Sequence, residues 1–458
     1  MMKLADKTFL ASLDTKADAM KASVLNTKSE YTLGEGGTAY YFAADGDDNA
    51  AGTSPETALR TLEKLAELPL KPGDVVLFRR GDMFRGNIRA AEGVTYSAYG
   101  EGAKPIINSS RQNFADPALW QETDHENVWV CTEKIVNAGI VTLDHTGEIG
   151  KYDELIGKRM IKGVGDFGGV ESMNEDLQVW SDLDGEKLYF YSIGGNPGAR
   201  FSDIEIGERG NTIDVRCDGV TVDNLHITLT GSHGVGAGTQ KNLTVRNCLF
   251  NWLGGSILTG YKGLVTVGYG NAVEVYGGCD GYHVYNNWMY QIYDTGITHQ
   301  FSFEDSVAVN TMDHVEYYDN LIEYCFWAIE YYNFKPDAAS HHIRSTKNTA
   351  IHDNFCRFGG EGWGCPGRAG GAPMCCFNTS NEEMENFVAE HNIFDRCKGY
   401  LLLSNNLKPS MNHNTWVQPY GVKFACIERQ VYFFDETAAD TLAKMGETEP
   451  KLYYIKEN

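Results

Sequence analysis

A short strand-like run ending in Asn recurs along the second half of the chain. VTVDN ends at Asn224, LTVRN at Asn247, YHVYNN at Asn287, VEYYDN at Asn320, AIHDN at Asn354 and VAEHN at Asn392. The shortest step, Asn224 to Asn247, fits the roughly 20–25 residues of one coil of a β-solenoid. Longer steps, such as Asn287 to Asn320, read as the same coil carrying an inserted loop. A chain built this way grows by adding coils, so its 458 residues need not divide into ordinary domains. Coils would stack at ~4.8 Å, the strand spacing. Asn suits the corners of such a stack. It tolerates the left-handed turn between strands, and its amide can ladder onto the next coil. These Asn residues are therefore assigned to structure rather than to chemistry.

Composition agrees with a turn-rich β protein: 50 Gly against 12 Pro, with 42% hydrophobic and 22% charged residues. The formal net charge of −23 disfavours nucleic acid and acidic membrane surfaces as partners. No run of about 18 apolar residues is present, so no membrane-spanning helix is expected. The start, MMKLADKTFLASLDTKADAMKAS, lacks the apolar stretch of a signal peptide. The 11 Cys are odd in number, sit among hydrophobic residues and form no C-x-x-C pair. They read as buried reduced thiols, and the expected location is cytoplasmic.

Residues 3–29 predict an amphipathic helix with Phe9, Leu13, Met20 and Val24 on one face. That face would pack against the protein's own body, or cap it, or join two copies in a homo-oligomer. The next segment, 38–88, reads as strand, Gly/Asp-rich loop, short helix, Pro-Gly turn and strand. It contains Tyr40-Tyr41 to Gly46, Gly52-Thr53-Ser54-Pro55, Ala58 to Leu62, and Lys71-Pro72-Gly73-Asp74 to Phe78. This ordered set resembles the first coils of right-handed parallel β-helix proteins of the pectate-lyase-like superfamily. The resemblance implies an all-β, right-handed parallel β-helix and a carbohydrate substrate, and leaves the reaction open. The organisation expected is an N-terminal helix (1–34), a β-helix domain (35–426) with an irregular insertion around 110–210, and a C-terminal cap (427–458). A cap is expected because an open sheet edge invites aggregation.

Stacking turns the repeat into geometry. VYNNWMYQIYDTGITHQ (284–300) and VEYYDNLIEYCFWAIEYYN (315–333) align as consecutive coils with Ile297 opposite Ile329. Val273 of GNAVEVYGG joins them if 259–271 is an inserted loop. With these three pointing inward, the next residues Glu274, Thr298 and Glu330 point outward in a row. Glu274 and Glu330 would stand roughly 10 Å apart, two strand spacings, with Asp294 in the turn between them. Carboxylates at such spacing suit glycoside hydrolysis, in which one acid protonates the leaving oxygen and another activates water or attacks the sugar. Crowding would raise one of their pKa values. Glu274, Asp294 and Glu330 are the candidate catalytic residues, although Asp-Thr-Gly is equally a turn formula.

Asn271, His299, Trp327, Tyr331, Glu361, Trp363 and Arg368 are the candidate substrate-binding residues, with Tyr261 a further stacking candidate. The aromatic residues could equally fill the solenoid. GSHGVGAG (231–238) resembles part of the Gly-His-Gly element of β-helix polygalacturonases. Their paired-Asp motif and Arg-Ile-Lys are absent, which leaves His233 a minor candidate. The first expectation is a glycoside hydrolase acting on oligosaccharides without a cofactor. The second is a polysaccharide lyase or uronate epimerase, with Arg344, Lys347, Arg357 or Arg368 as base, HHIRSTKN (341–348) as the basic patch, and Ca²⁺ as the cofactor. The third is a glycan-binding solenoid without catalysis.

Overall fold

The computed structural model describes residues 2–162, 167–259, 266–300, 310–333, 344–368, 370–378, 382–405 and 408–456. Within them three long sheets of eleven, ten and ten strands run the length of the body. One turn of chain contributes one strand to each. Cys279–Tyr285, Trp288–Ile292 and Thr295–Gln300 form one coil, and Asn310–Tyr318, Leu321–Glu323 and Trp327–Asn333 the next. Corresponding strands of these coils pair in parallel. The chain is a parallel β-helix, as the repeat and the 38–88 segment predict. The first of those segments opens the second ten-stranded sheet, where Ala39–Phe42 pairs with Val75–Arg79.

Strand alternation sends every second side chain inward, and register stacks like upon like. Val273, Ile297, Ile329 and Met374 make one interior column. Phe250, Met289, Ile322, Cys356 and Phe394 make another. All are fully buried in one continuous core. Each such side chain contributes about 1.5–3 kcal/mol on burial. All eleven cysteines are free thiols and nine are buried, in keeping with the sequence reading.

The recurring Asn plays two parts on adjacent residues, a refinement of the sequence alignment. The left-handed corner is taken by Asn224, Asn247, Asn286, Asp319, Asp353 and His391. The ladder runs through the residue that follows. Asn287 Nδ2 donates to Asn320 Oδ1 (3.0 Å), Asn320 to Asn354 (2.9 Å), Asn354 to Asn392 (3.0 Å) and Asn392 to Asn414 (3.1 Å). Asn414 ends it on Glu447 Oε2 at 2.8 Å. Asn224 and Asn247 are thus one residue out of step with Asn287; Cys248 is the true counterpart, its N–H donating to Asn287 Oδ1.

The N-terminal helix is shorter than its apolar pattern, spanning Lys7–Leu25. Asp6 caps it by accepting from Phe9 N–H at 2.8 Å. Ahead of it, Lys3–Leu4 adds a parallel strand beside Tyr453–Tyr454. Leu13, Ala17 and Val24 pack on Leu249, Trp288, Leu321 and Phe355, which face outward from the eleven-stranded sheet. The apolar stripe that suggested a second copy is therefore occupied by the chain's own sheet. The insertion forms a five-stranded and a three-stranded sheet with a separate core that includes Phe114, Trp120, Phe190 and Ile204. Among the described residues no helix is long and apolar enough to cross a membrane.

The ladder makes a stability prediction. Asn320→Ala removes acceptors from Asn287 and donors from Asn354 and Val284 O. Each buried group left unpaired costs about 1–3 kcal/mol, so a loss of about 3 kcal/mol or more is expected in urea unfolding. A loss below about 1 kcal/mol would show that the ladder is dispensable.

Candidate active site

The outer row forms as the alignment requires. Glu274 pairs with Thr298, and Thr298 with Glu330, across three successive strands. Their inward neighbours are the Val273, Ile297 and Ile329 column, so the pleat turns the row to the opposite face. The row is not open to bulk water: Glu274 and Glu330 are each only 7% exposed. Asp294, just ahead of Thr295, joins them. Arg368, from the Gly-rich excursion 358–371, reaches back to it: Nη2 donates to Asp294 Oδ1 at 2.6 Å and Nη1 to Tyr293 O at 2.8 Å. The guanidinium lies 3.6 Å from the centre of the Phe326 ring.

Hydrogen bonds fix the direction of each acid. Glu274 Oε2 meets His233 Nε2 at 2.6 Å and accepts from Asn271 Nδ2 at 2.8 Å. Asn271 Oδ1 accepts from Thr295 N–H at 3.0 Å, which settles its amide orientation. Asn271 N–H points to His233 Nδ1 at 3.2 Å. With Nδ1 accepting, the ring proton sits on Nε2, and His233 donates to Glu274 as a neutral imidazole. Burial, which pushes His233 down to about 3, favours the same neutral form. Both donors land on Oε2, so Oε1 is the oxygen left to carry a proton. Glu330 Oε2 accepts from Thr298 Oγ1 at 2.7 Å and from Gln300 Nε2 at 3.3 Å.

These surroundings set the protonation states. Burial pushes Glu274 up to about 8; the Asn271 donor opposes it, and the charges of Glu330 and Asp294 add to it. Burial also pushes Glu330 up to about 7, followed by the Asp294 charge, with Thr298, Gln300 and Arg368 pulling back. Desolvation and crowding thus favour the protonated form of Glu274 at neutral pH and leave Glu330 titrating near it.

Several sequence candidates fall elsewhere. His299 and Tyr331 point into the solenoid, not the groove, because each follows an outward residue on its strand. His299 Nδ1 meets Tyr317 Oη at 2.6 Å, and both side chains are fully buried. Glu361 is exposed and its charged neighbours are Arg396, Lys398 and Asp395, away from the acid row. Trp327 is half-buried against Phe326. Trp363 packs beside Tyr293, ring centres 5.2 Å apart, at the edge of the site. Asn271 orients Glu274. Of the basic candidates whose side chains are described, Arg368 alone reaches the acids. Lys347 pairs with Glu385 on another sheet, and Arg357 lies beneath the N-terminal helix against Asp14. Tyr261, His341–Ile343 and the Arg344 side chain lie outside the described residues. Among the described residues no group of three or more His, Cys, Asp or Glu is placed to hold a metal ion.

His233, a minor candidate by sequence, reaches Glu274. It stands just ahead of the strand Val235–Ala237, whose Val235 pairs with Val273; aligning 231–238 as a coil would have brought it to Glu274. Arg159 carried no local signal. It comes from the insertion, donates to Gly255 O, and lies 5.2 Å from the Tyr293 ring centre.

No family model matches the chain. Over 132 residues it is 34% identical to a lacto-N-biosidase of Bifidobacterium longum subsp. longum, a match covering 26% of this chain and 8% of that protein. The chain thus aligns with less than a tenth of that relative's length. Among solved structures, XylC in complex with xylose aligns with TM-score 0.45 and 13% identity, over 86% of this chain and 73% of that one. A GH136 lacto-N-biosidase from Eubacterium ramulus aligns with TM-score 0.40 and 13% identity, over 91% and 68%. The pectate lyase Pel9A aligns with TM-score 0.36 and 10% identity, over 90% and 81%.

The raised carboxyls tie stability to pH. Their folded values lie above the ordinary 4.5, so the folded state binds more protons between the two. The stability they contribute is complete below about 4.5 and is lost as pH rises toward 8. Urea midpoints should fall over that window, and Glu274→Gln should flatten the slope. A slope unchanged in the variant would refute the assignment of this proton to Glu274.

Proposed function

We propose that the chain hydrolyses glycosidic bonds, with Glu274 as general acid and Asp294 with Glu330 as the carboxylates on the base or nucleophile side. The observation that carries this reading is the convergence of three carboxyl groups from successive coils, with Glu274 buried and held by His233 and Asn271 and Asp294 ion-paired to Arg368. Glu274 donates its Oε1 proton to the leaving oxygen. His233 and Asn271 hold Oε2 so that Oε1 keeps its direction. The Asp294–Glu330 pair takes a proton from water or attacks the anomeric carbon, and Arg368 keeps Asp294 in place as charge develops. The named activity of the sequence relative, lacto-N-biosidase, is in line with this reading. No cofactor is required.

The test is product mass from neutral and uronic oligosaccharides. Each cleavage should add one water, and Glu274→Gln should lower kcat about 10²–10⁴-fold, the usual worth of a general acid. Since the acid works only when protonated, kcat/KM should decline as pH rises through about 8. His233→Ala removes a donor that favours the carboxylate, so that limb should move upward as the rate falls; His233→Gln, which keeps a donor, should restore both.

A second reading has one observation in its favour: Arg368 is within 2.6 Å of Asp294, so a cation does reach the acids. An eliminative enzyme would leave an unsaturated product end and no added water, and loss of activity in EDTA would point to the calcium such enzymes commonly use. Either result would replace the hydrolytic reading.

A further inference from the structure

A charged side chain of the insertion ends on the residue before Asp294. Arg159 lies on the short strand Lys158–Met160, which pairs with Gln178–Asp182 inside the insertion. Its guanidinium leaves that sheet, donates to Gly255 O just after the strand Leu249–Leu253, and lies over the Tyr293 ring, 5.2 Å from its centre. Tyr293 is buried. It fills a close-fitting slot: a side chain at Gly268 or Gly364 would collide with it, and Trp363 packs beside it, ring centres 5.2 Å apart.

The same ring carries a second guanidinium. Arg368 lies 4.9 Å from its centre, and its two terminal nitrogens donate to Tyr293 O and to Asp294 Oδ1. Arg159, Tyr293, Arg368 and Asp294 thus form one connected set of contacts from the insertion to the acid row. The π face attracts both cations, and the Arg368 fork ties backbone to carboxylate. Loss of Arg159 would free the ring on the insertion side, and with it the shelf on which Arg368 rests. An apolar residue would dock the insertion at less cost, because a guanidinium taken largely out of water needs partners to offset its desolvation. Burial indeed pushes the Arg159 pKa down, with Tyr293 opposing it.

We propose that Arg159 is a positioning residue for the Asp294 carboxylate, acting from the insertion through Tyr293 and Arg368. It rests on the hydrolase reading for the step that Asp294 serves, not for the placement. The insertion is then part of the working site rather than an appendage to the solenoid.

The test pairs kinetics with placement. On a glycan that the wild type cleaves, Arg159→Ala should lower kcat about tenfold or more and leave KM within about twofold, since a misplacement near 1 Å can cost about 10²-fold and no contact to the sugar is removed. Arg159→Lys, which keeps a cation for the ring, should restore most of kcat. Trp180→Leu is the control: that indole packs inside the insertion on Phe167 and Tyr189, so kcat should stay unchanged. Thermal unfolding checks that all three variants fold. No loss in Arg159→Ala, or an equal loss in Trp180→Leu, would overturn the positioning role and leave hydrolysis standing. Crystal structures of the wild type and Arg159→Ala read placement without activity: the Asp294 carboxylate should move by about 1 Å relative to Glu330. A carboxylate that stays in place would overturn the role even with hydrolysis confirmed. Should the wild type cleave nothing while the carboxylate moves, the placement stands and the hydrolase reading falls.

Discussion

In-register parallel pairing between coils is the constraint on which the rest of this structure depends. It places Val273, Ile297 and Ile329 in one interior column. Because the pleat has a period of two, the same register forces Glu274, Thr298 and Glu330 into a row on the other face. A slip of one residue in any coil would send a carboxylate into the core and an isoleucine into the site. The buried Asn ladder guards against that slip. Each amide can pair only with its exact counterpart one coil away, so misregister leaves several buried polar groups unpaired. The candidate site thus inherits its geometry from the register of the scaffold.

Burial sets the acid row apart from ordinary surface carboxylates. An outward row on a solenoid would ordinarily be solvated. Here Arg368 reaches in from a Gly-rich loop, and His233 comes from the preceding coil. Together with Asn271 and Thr298 they supply donors to three carboxyl groups. Burial favours the protonated form of Glu274, while Asp294 is paired with a cation.

The insertion extends the same logic outward. It has its own core and no part in the solenoid repeat. It contributes Arg159 to the surroundings of Tyr293. Repeat scaffolds commonly diversify in this way, since a loop can lengthen on one face without disturbing the stacked core.

The chain alone determined the solenoid, the alignment of Ile297 with Ile329, and the row of Glu274, Thr298 and Glu330. These follow from a period-two strand pattern repeated at coil intervals, and both periods are written in the sequence. It also carried Arg368, in a conspicuous Gly-rich loop. Tertiary structure decided the rest. His299 and Tyr331 turned inward because alternation, not residue type, sets direction. Glu361 was carried to an exposed turn. His233 and Arg159 entered because contacts between coils, and between insertion and coil, join residues far apart in the chain. The reading of Glu274 as an acid also needed the structure, since a proton held at neutral pH depends on burial and on neighbouring charge, neither of which a linear sequence displays.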